Sequence, residues 1–192
     1  MKRLKSSSEK DLLKTFSVFA ILVVVPFILI SKSFANHPPV IPISSIDLQR
    51  YLGRWFEIAS FPQRFSRNCV ATTADYSLMD NGNIRVVNRC RRGSLDGPQS
   101  EIKGRAWVSD PRTDAILAVQ FFWPFVGDYW IIGLGPDRGN GYEWALVGSP
   151  DRESLWILNR SPQMSSELYS RIIEQARVQG FDVNRLKQTQ QP

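Results

Sequence analysis

The sequence predicts an all-β protein: eight antiparallel strands forming a barrel or sandwich, with one amphipathic helix packed on its side. Three observations predict it. Eight apolar-rich segments follow one another at fairly even spacing between Arg54 and Arg160. The gaps between them are short and hold Gly, Pro, Asp and Asn, the residues that turn a chain tightly. Only residues 165–180 carry a helical period. A chain of 192 residues suits one domain with a sizeable core.

The chain opens with a basic stretch, then the uncharged run "FSVFAILVVVPFILI" at 16–30, then Ser33-Phe34-Ala35. Basic end, short apolar segment and small residues are the layout of a secretory signal over residues 1–35. A spanning helix needs about 20 apolar residues, and an uncleaved N-terminal anchor is the alternative. The expected location is therefore the periplasm or cell envelope. With no cysteine near the expected cleavage point, there is no thiol for lipid attachment. The formal charge of +6 is concentrated here. Six basic and two acidic residues lie in 1–35, so 18 of the 24 basic and 16 of the 18 acidic residues lie beyond it. No basic stripe with interleaved aromatics appears, and nucleic acid is not an expected partner.

Residues 36–46 form a proline-rich extended lead-in. Ser45 is expected to cap a helical turn, "SIDLQRYLG", which Gly53 ends. Strands are expected at 54–62, 69–79, 84–90, 100–110, 115–122, 128–134, 142–149 and 154–160. Asn81-Gly82 marks a tight hairpin between the second and third. In the helix at 165–180, Leu168, Ile172, Ile173 and Ala176 share a face, Ser165 or Ser166 caps the start and Gly180 follows the end. "FDVNRLKQT" at 181–189 reads as a further short extended piece, and "QTQQP" at 188–192 as a frayed tail.

Alternation assigns the faces. Val70, Ala74, Tyr76 and Leu78 share one side of the second strand; Ile84, Val86 and Asn88 oppose Arg85 and Arg89 in the third. Ile102, Gly104, Ala106 and Val108 oppose Glu101, Lys103 and Arg105 in the fourth, and Ala115, Leu117, Val119 and Phe121 align in the fifth. The segments 128–134 and 142–149 are apolar on both faces, so one face of each should meet the helix or a partner. Ala74, Gly104 and Ala106 are too small to fill a wide barrel, which leaves room for one small ligand. The alternative is an ordinary core filled by Tyr76, Phe121 and inward tryptophans, which alternation alone favours.

Export would favour a disulfide between Cys69 and Cys90. Across a hairpin turning at Asn81-Gly82, the two are out of step by about four residues, roughly 13 Å along a strand. A bridge needs Cα atoms within about 7 Å, so it requires a bulge or fold-back near Cys69. A bridge and two buried thiols both stay open. His37 is the only histidine and lies in the lead-in, which argues against a Ser-His-Asp or Cys-His site. No Cys/His cluster has metal spacing, "GLGPDRG" opens no helix and so is no phosphate loop, and Asp110 and Asp114 sit in turns. Neither a catalytic group nor a metal or other cofactor is expected.

The stretch "YLGRWFEIASFPQRF" at 51–65 resembles the first signature of the lipocalins, in which Gly-x-Trp opens the first barrel strand after a helical turn. "ADYSLMDNGNIRVVNRC", "GDYWIIGL" and "YEWALVGSPDRESLWILNRSPQMSSELY" resemble the bacterial lipocalins and the apolipoprotein-D-like branch. The likeness runs from about Asp47 to Lys187. It departs from the family after the sixth strand: the Thr-Asp-Tyr signature is replaced by "GPDRGNGYEW" at 135–144, which keeps only Asp137 and puts any receptor contact of that loop in doubt.

The resemblance implies an eight-stranded up-and-down barrel over 47–187 with the helix on its outside. Gly53 gives the tight turn, Trp55 plugs the closed end, and Arg160 lies across the Trp55 ring. The expected cavity lining is Val70, Ala74, Tyr76, Val86, Asn88, Ala106, Val119, Phe121 and Trp130. "SFPQRFSRN" would cover the mouth, where Arg64 and Arg67 could meet an anionic headgroup. The implied function is binding and transport of small hydrophobic ligands or lipids, with a role in membrane maintenance or protection from lipid oxidation. The alternatives are a lipocalin-fold enzyme using Asn88 and Tyr76, or an envelope interaction module using the apolar stretch 121–130, which could touch membrane or form a weak homodimer rather than leave a monomer.

Overall fold

A computed structural model describes residues 37–139 and 141–192. The expectations for the signal or anchor at 1–35 lie outside them. Two α-helices and nine strands follow in order: α1 (Leu48–Tyr51), β1 (Gly53–Ser60), β2 (Cys69–Leu78), β3 (Ile84–Arg92), β4 (Gln99–Val108), β5 (Ile116–Phe122), β6 (Phe125–Leu134), β7 (Trp144–Gly148), β8 (Leu155–Asn159), α2 (Ser166–Val178) and β9 (Lys187–Gln188). Every strand pair is antiparallel, and the order β2-β3-β4-β5-β6-β7-β8-β1 closes because β1 also pairs with β2. The eight main strands therefore form the up-and-down barrel.

Local chemistry sets the joints. Asp47, rather than Ser45, caps α1, accepting hydrogen bonds from the Gln49 and Arg50 amides. In the β2–β3 hairpin Gly82 takes φ +81°, and Met79 N donates to Asn83 O at 2.8 Å. Ser165 caps α2 by accepting from Leu168 N at 3.2 Å. β6 starts three residues earlier than the alternation suggests, at Phe125, because β5 and β6 pair out to Phe122 opposite Phe125.

Two cores explain the strands that are apolar on both faces. Inside the barrel, Trp55, Tyr76, Ile84, Val86, Ala106, Leu117, Ile131 and Val147 pack together. Outside it, Ile132, Trp144, Leu146 and Ile157 pack against Ile172 and Ala176 of α2 and against Phe181, with Leu168 and Ile173 at the margin. Burying large apolar side chains on both sides of β6 and β7 fixes α2 to the barrel wall.

Residues 188–192 are not a frayed tail. β9 pairs with β1 (Ala59 with Gln188, Ser60 with Lys187), and the chain then enters the split between β1 and β2. There Thr189 N donates to Ile58 O at 2.9 Å and Ala71 N donates to Gln190 O at 2.7 Å. The open edges that bulges leave on β1 and β2 supply the partners. Among the described residues, no helix is long and apolar enough to cross a membrane.

Candidate functional site: a lined cavity in the barrel

The closed end is built around Trp55. Gly53 takes φ +93°, which turns the chain sharply from α1 into β1. Two residues on, Trp55 is fully buried, its Nε1 donating to Tyr51 O at 2.8 Å. The Arg160 guanidinium lies 3.7 Å over the Trp55 ring. It also donates to the carbonyls of Arg50, Tyr51, Leu52, Arg54 and Tyr142 at 2.8–3.2 Å. One planar fork thus ties α1, β1 and the loop before β7 to the end of β8. Burial pulls the Arg160 pKa down, and Tyr51 and Tyr76 pull it partly back.

Above this stopper three tyrosines meet. Tyr129 OH lies 2.7 Å from Tyr51 OH and 3.0 Å from Tyr76 OH. Burial pushes Tyr51 and Tyr129 well above the usual phenol range and Tyr76 to about 12, so all three are neutral at physiological pH. Two hydrogen bonds among three hydroxyls use two of their three protons.

Over them opens a cavity of about 810 Å³, a size that suits one small ligand. Ala74, Val86, Ala106, Leu117, Val119 and Phe121 line its walls, and Trp156 and Leu158 close the far side. The small side chains of Ala74 and Ala106 leave this volume open. Cys69 and Cys90 stand at the rim, joined by a disulfide with Cα atoms 5.5 Å apart. A β2 bulge between Val70 and Thr73, with Ala71 at φ +49°, shifts the register by one residue, so that Cys69 pairs with Arg92 and reaches diagonally to Cys90.

Ala74, Tyr76, Val86, Asn88, Ala106, Val119 and Phe121 line the cavity as the alternation predicts. Two expected residues do not. Val70 lies beyond the bulge, which flips the side-chain parity and brings Cys69 inward instead, while Thr72 keeps the parity of Ala74 and Tyr76. Trp130 belongs to a two-faced strand and packs on the outer core, while its neighbour Tyr129 points inward.

Tyr76 and Asn88 are not the only inward polar groups: Tyr51, Tyr129, Glu57 and Thr72 join them. Glu57 shares parity with Trp55 and was readable on that ground; Tyr51 ends α1 and had no strand period to reveal it. Enclosure pushes the Glu57 carboxyl above its usual range, and bonds from Thr189 and Ser60 pull it partly back.

Arg64 and Arg67 are exposed on the loop between β1 and β2, whose Gln63 and Ser66 edge the cavity. Asp137 accepts from Gly139 N and Gly141 N and pairs with Arg50, so it holds its own loop against α1. Asp110 forms a turn with Arg112, which holds its carboxyl at about 2. His37 sits beside Gly180 after α2, on the outside. Among the described residues no group of three or more His, Cys, Asp or Glu could hold a metal ion.

Comparison with known proteins agrees with the geometry. A lipocalin-like domain model matches residues 46–191. The outer membrane lipoprotein Blc of Escherichia coli K12 is 40% identical over 167 residues, 86% of this chain and 92% of that protein. Apolipoprotein D of Mus musculus is 37% identical over 164 residues, 80% of each chain. The fold also superposes on insecticyanin from the tobacco hornworm Manduca sexta with a TM-score of 0.59, at 20% identity, covering 81% of this chain and 86% of that one. A closed barrel stoppered by Trp55 under Arg160, matched along nearly all of its length by these relatives, establishes that the chain belongs to the lipocalin family.

Proposed function

We propose that this lipocalin carries single-chain lipids (fatty acids, lysophospholipids or oxidised lipids) within the cell envelope, in membrane maintenance or protection from lipid oxidation. One observation carries the reading: a cavity of about 810 Å³ with aliphatic and aromatic walls, closed at one end and open at the other. Apolar chains leave water for such a site without desolvating many polar groups. The family as a whole binds small hydrophobic ligands, which supports the same reading. The Cys69–Cys90 bridge supports export to an oxidising compartment, and a relative named as an outer membrane lipoprotein supports the envelope. Titration of the full chain with a fluorescent fatty acid tests the proposal. Saturable binding at one site per chain, competed by a lysophospholipid, is expected; an unsaturable signal contradicts it.

A second feature favours contact with a membrane. At the β5–β6 hairpin, beside the cavity mouth, Phe122, Trp123, Phe125 and Val126 are exposed, Trp123 to 86% and Phe125 to 77%. Trp123 also borders an outer groove lined by Arg85, Lys103 and Arg105. Arg85 faces Arg105 directly across the strand pair, an unfavourable juxtaposition that an anionic lipid surface relieves. Docking there would bring the open mouth to the bilayer that supplies the cargo. Co-sedimentation with vesicles containing anionic lipid checks this: binding that Trp123→Ser/Phe125→Ser abolishes is expected, and unchanged binding by that variant contradicts it.

A further inference from the structure

Glu57 puts a carboxyl into an otherwise greasy stretch of the cavity wall. It follows Trp55 by two residues on β1, pairs with Leu158 of β8 and lines the hollow. The barrel encloses it, yet the residue stays partly exposed where it borders the hollow, unlike the sealed Thr72 Oγ1 and Asn88 Oδ1. Its partners are hydroxyls: Thr189 Oγ1 donates to Glu57 Oε1 at 2.5 Å, and Ser60 adds a lesser bond. Among the described residues, no lysine or arginine pairs with it.

The bond to Thr189 does not require a charge. A glutamine would accept it equally well and cost less to enclose. What the carboxylate adds is a negative charge inside a hollow of low dielectric, where an unpaired ion is destabilising. The nearby cations are engaged elsewhere: Arg89 with Asp75 and Glu101, Arg92 with Ser100 and the Arg67 carbonyl, and Arg160 beneath the Trp55 ring. A cargo carboxylate brought down to Glu57 would meet a like charge, and an alkyl end would leave the carboxyl unpaired. An ammonium carries the opposite charge and only donates, where a carboxylate only accepts. Aromatic surface lies close by. Tyr129 and Trp156, with ring centroids 6.4 Å apart, line the same hollow, and the charge of Glu57 adds to burial in raising the Tyr76 pKa. The negative faces of such rings favour a cation.

The geometry points to Glu57 as the counter-ion of an ammonium group, so that the hollow receives single-chain amphiphiles with an amine head, bound head inward. This rests on the lipid-carrier reading and narrows it to amine-headed chains in preference to uncharged or carboxylate-headed ones of equal length. The full chain is preloaded with a fluorescent fatty acid at neutral pH and titrated with dodecylamine, dodecanol or dodecanoic acid. The chain length is common to all three, and only the head differs.

Dodecylamine is expected to compete about tenfold more tightly than dodecanol, since a bond to a charged group exceeds a neutral one by about that factor, and dodecanoic acid is expected to compete no better than the alcohol. Glu57→Gln keeps the shape and the acceptor for Thr189 but removes the charge, and is expected to erase the advantage of the amine. Circular dichroism checks its folding, and Glu57→Asp, whose shorter carboxylate should weaken the preference, is read if the glutamine variant does not fold. Equal competition by amine and alcohol on the wild type overturns the subsite alone. So does a preference for the amine that survives substitution, as it would if the amine merely paired with the probe in solution. Failure of every competitor to displace the probe overturns the carrier reading and the subsite with it.

Discussion

Replacing Arg160 by methionine removes the stopper of the barrel and leaves the rest of the cavity in place. The cost follows from what the guanidinium touches. Of its five carbonyl partners, those of Arg50 and Arg54 lie in exposed contacts that water can replace, whereas those of Tyr51, Leu52 and Tyr142 are partly buried. Three charge-assisted bonds lost there, with the contact 3.7 Å over Trp55, amount to about 4 kcal/mol. For a domain of this size that is a fall of about 10 °C in Tm. Lysine restores a charge but not the planar fork, so Arg160→Lys should recover less than half of the loss. Thermal unfolding followed by circular dichroism reads both variants. A Tm for Arg160→Met within about 2 °C of the wild type would refute the claim that this residue holds the closed end together.

Four further outcomes are expected. Trp55→Ala should cost about 4 kcal/mol in chemical denaturation, as for other fully buried aromatics, with the order of ligand preference unchanged; a wild-type midpoint contradicts it. Cys69→Ala/Cys90→Ala opens a loop with a sequence separation of 21 and should lower stability by about 3 kcal/mol in the same assay, whereas an unchanged midpoint would show that the bridge constrains nothing. Removal of residues 188–192 strips the bonds to Ile58, Ala71 and Glu57 and should lower stability by about 2 kcal/mol, and a truncated chain as stable as the full one would make the tail dispensable. Glu57 has a raised pKa when folded, so the folded state holds its proton more tightly and stability falls as pH rises above the ordinary carboxyl pKa of 4.5. Glu57→Gln should therefore gain on the wild type as pH rises through that range and match it in more acidic solution; a pH-independent difference contradicts this.

Much of the barrel was legible because its strands keep one wet and one dry face. Ile84, Val86 and Asn88 alternate with Arg85 and Arg89, and the structure sets the first three inward. The Gly53-x-Trp55 pair and the late arginine were legible for a different reason: turn chemistry and a cation over an indole require those residue types at those places. What failed was parity across irregularities. A single bulge at Ala71 turned Val70 outward and brought Cys69 within reach of Cys90. Trp130 was misplaced because a strand apolar on both faces carries no alternation to say which face is inside. The ordered tail left no local signal, since Gln190 and Gln191 find their partners only where β1 and β2 separate. The tyrosine cluster joins α1, β2 and β6, elements far apart in the chain, so no short motif could announce it.

The central claim is that the hollow above Trp55 holds one lipid. Native mass spectrometry of the full chain mixed with a single-chain lipid, compared with an Ala74→Trp variant that fills the cavity and keeps its fold by circular dichroism, tests it most directly. One lipid per wild-type chain and none on the filled variant is the predicted result. Equal lipid occupancy of the two proteins, or none on either, would contradict it.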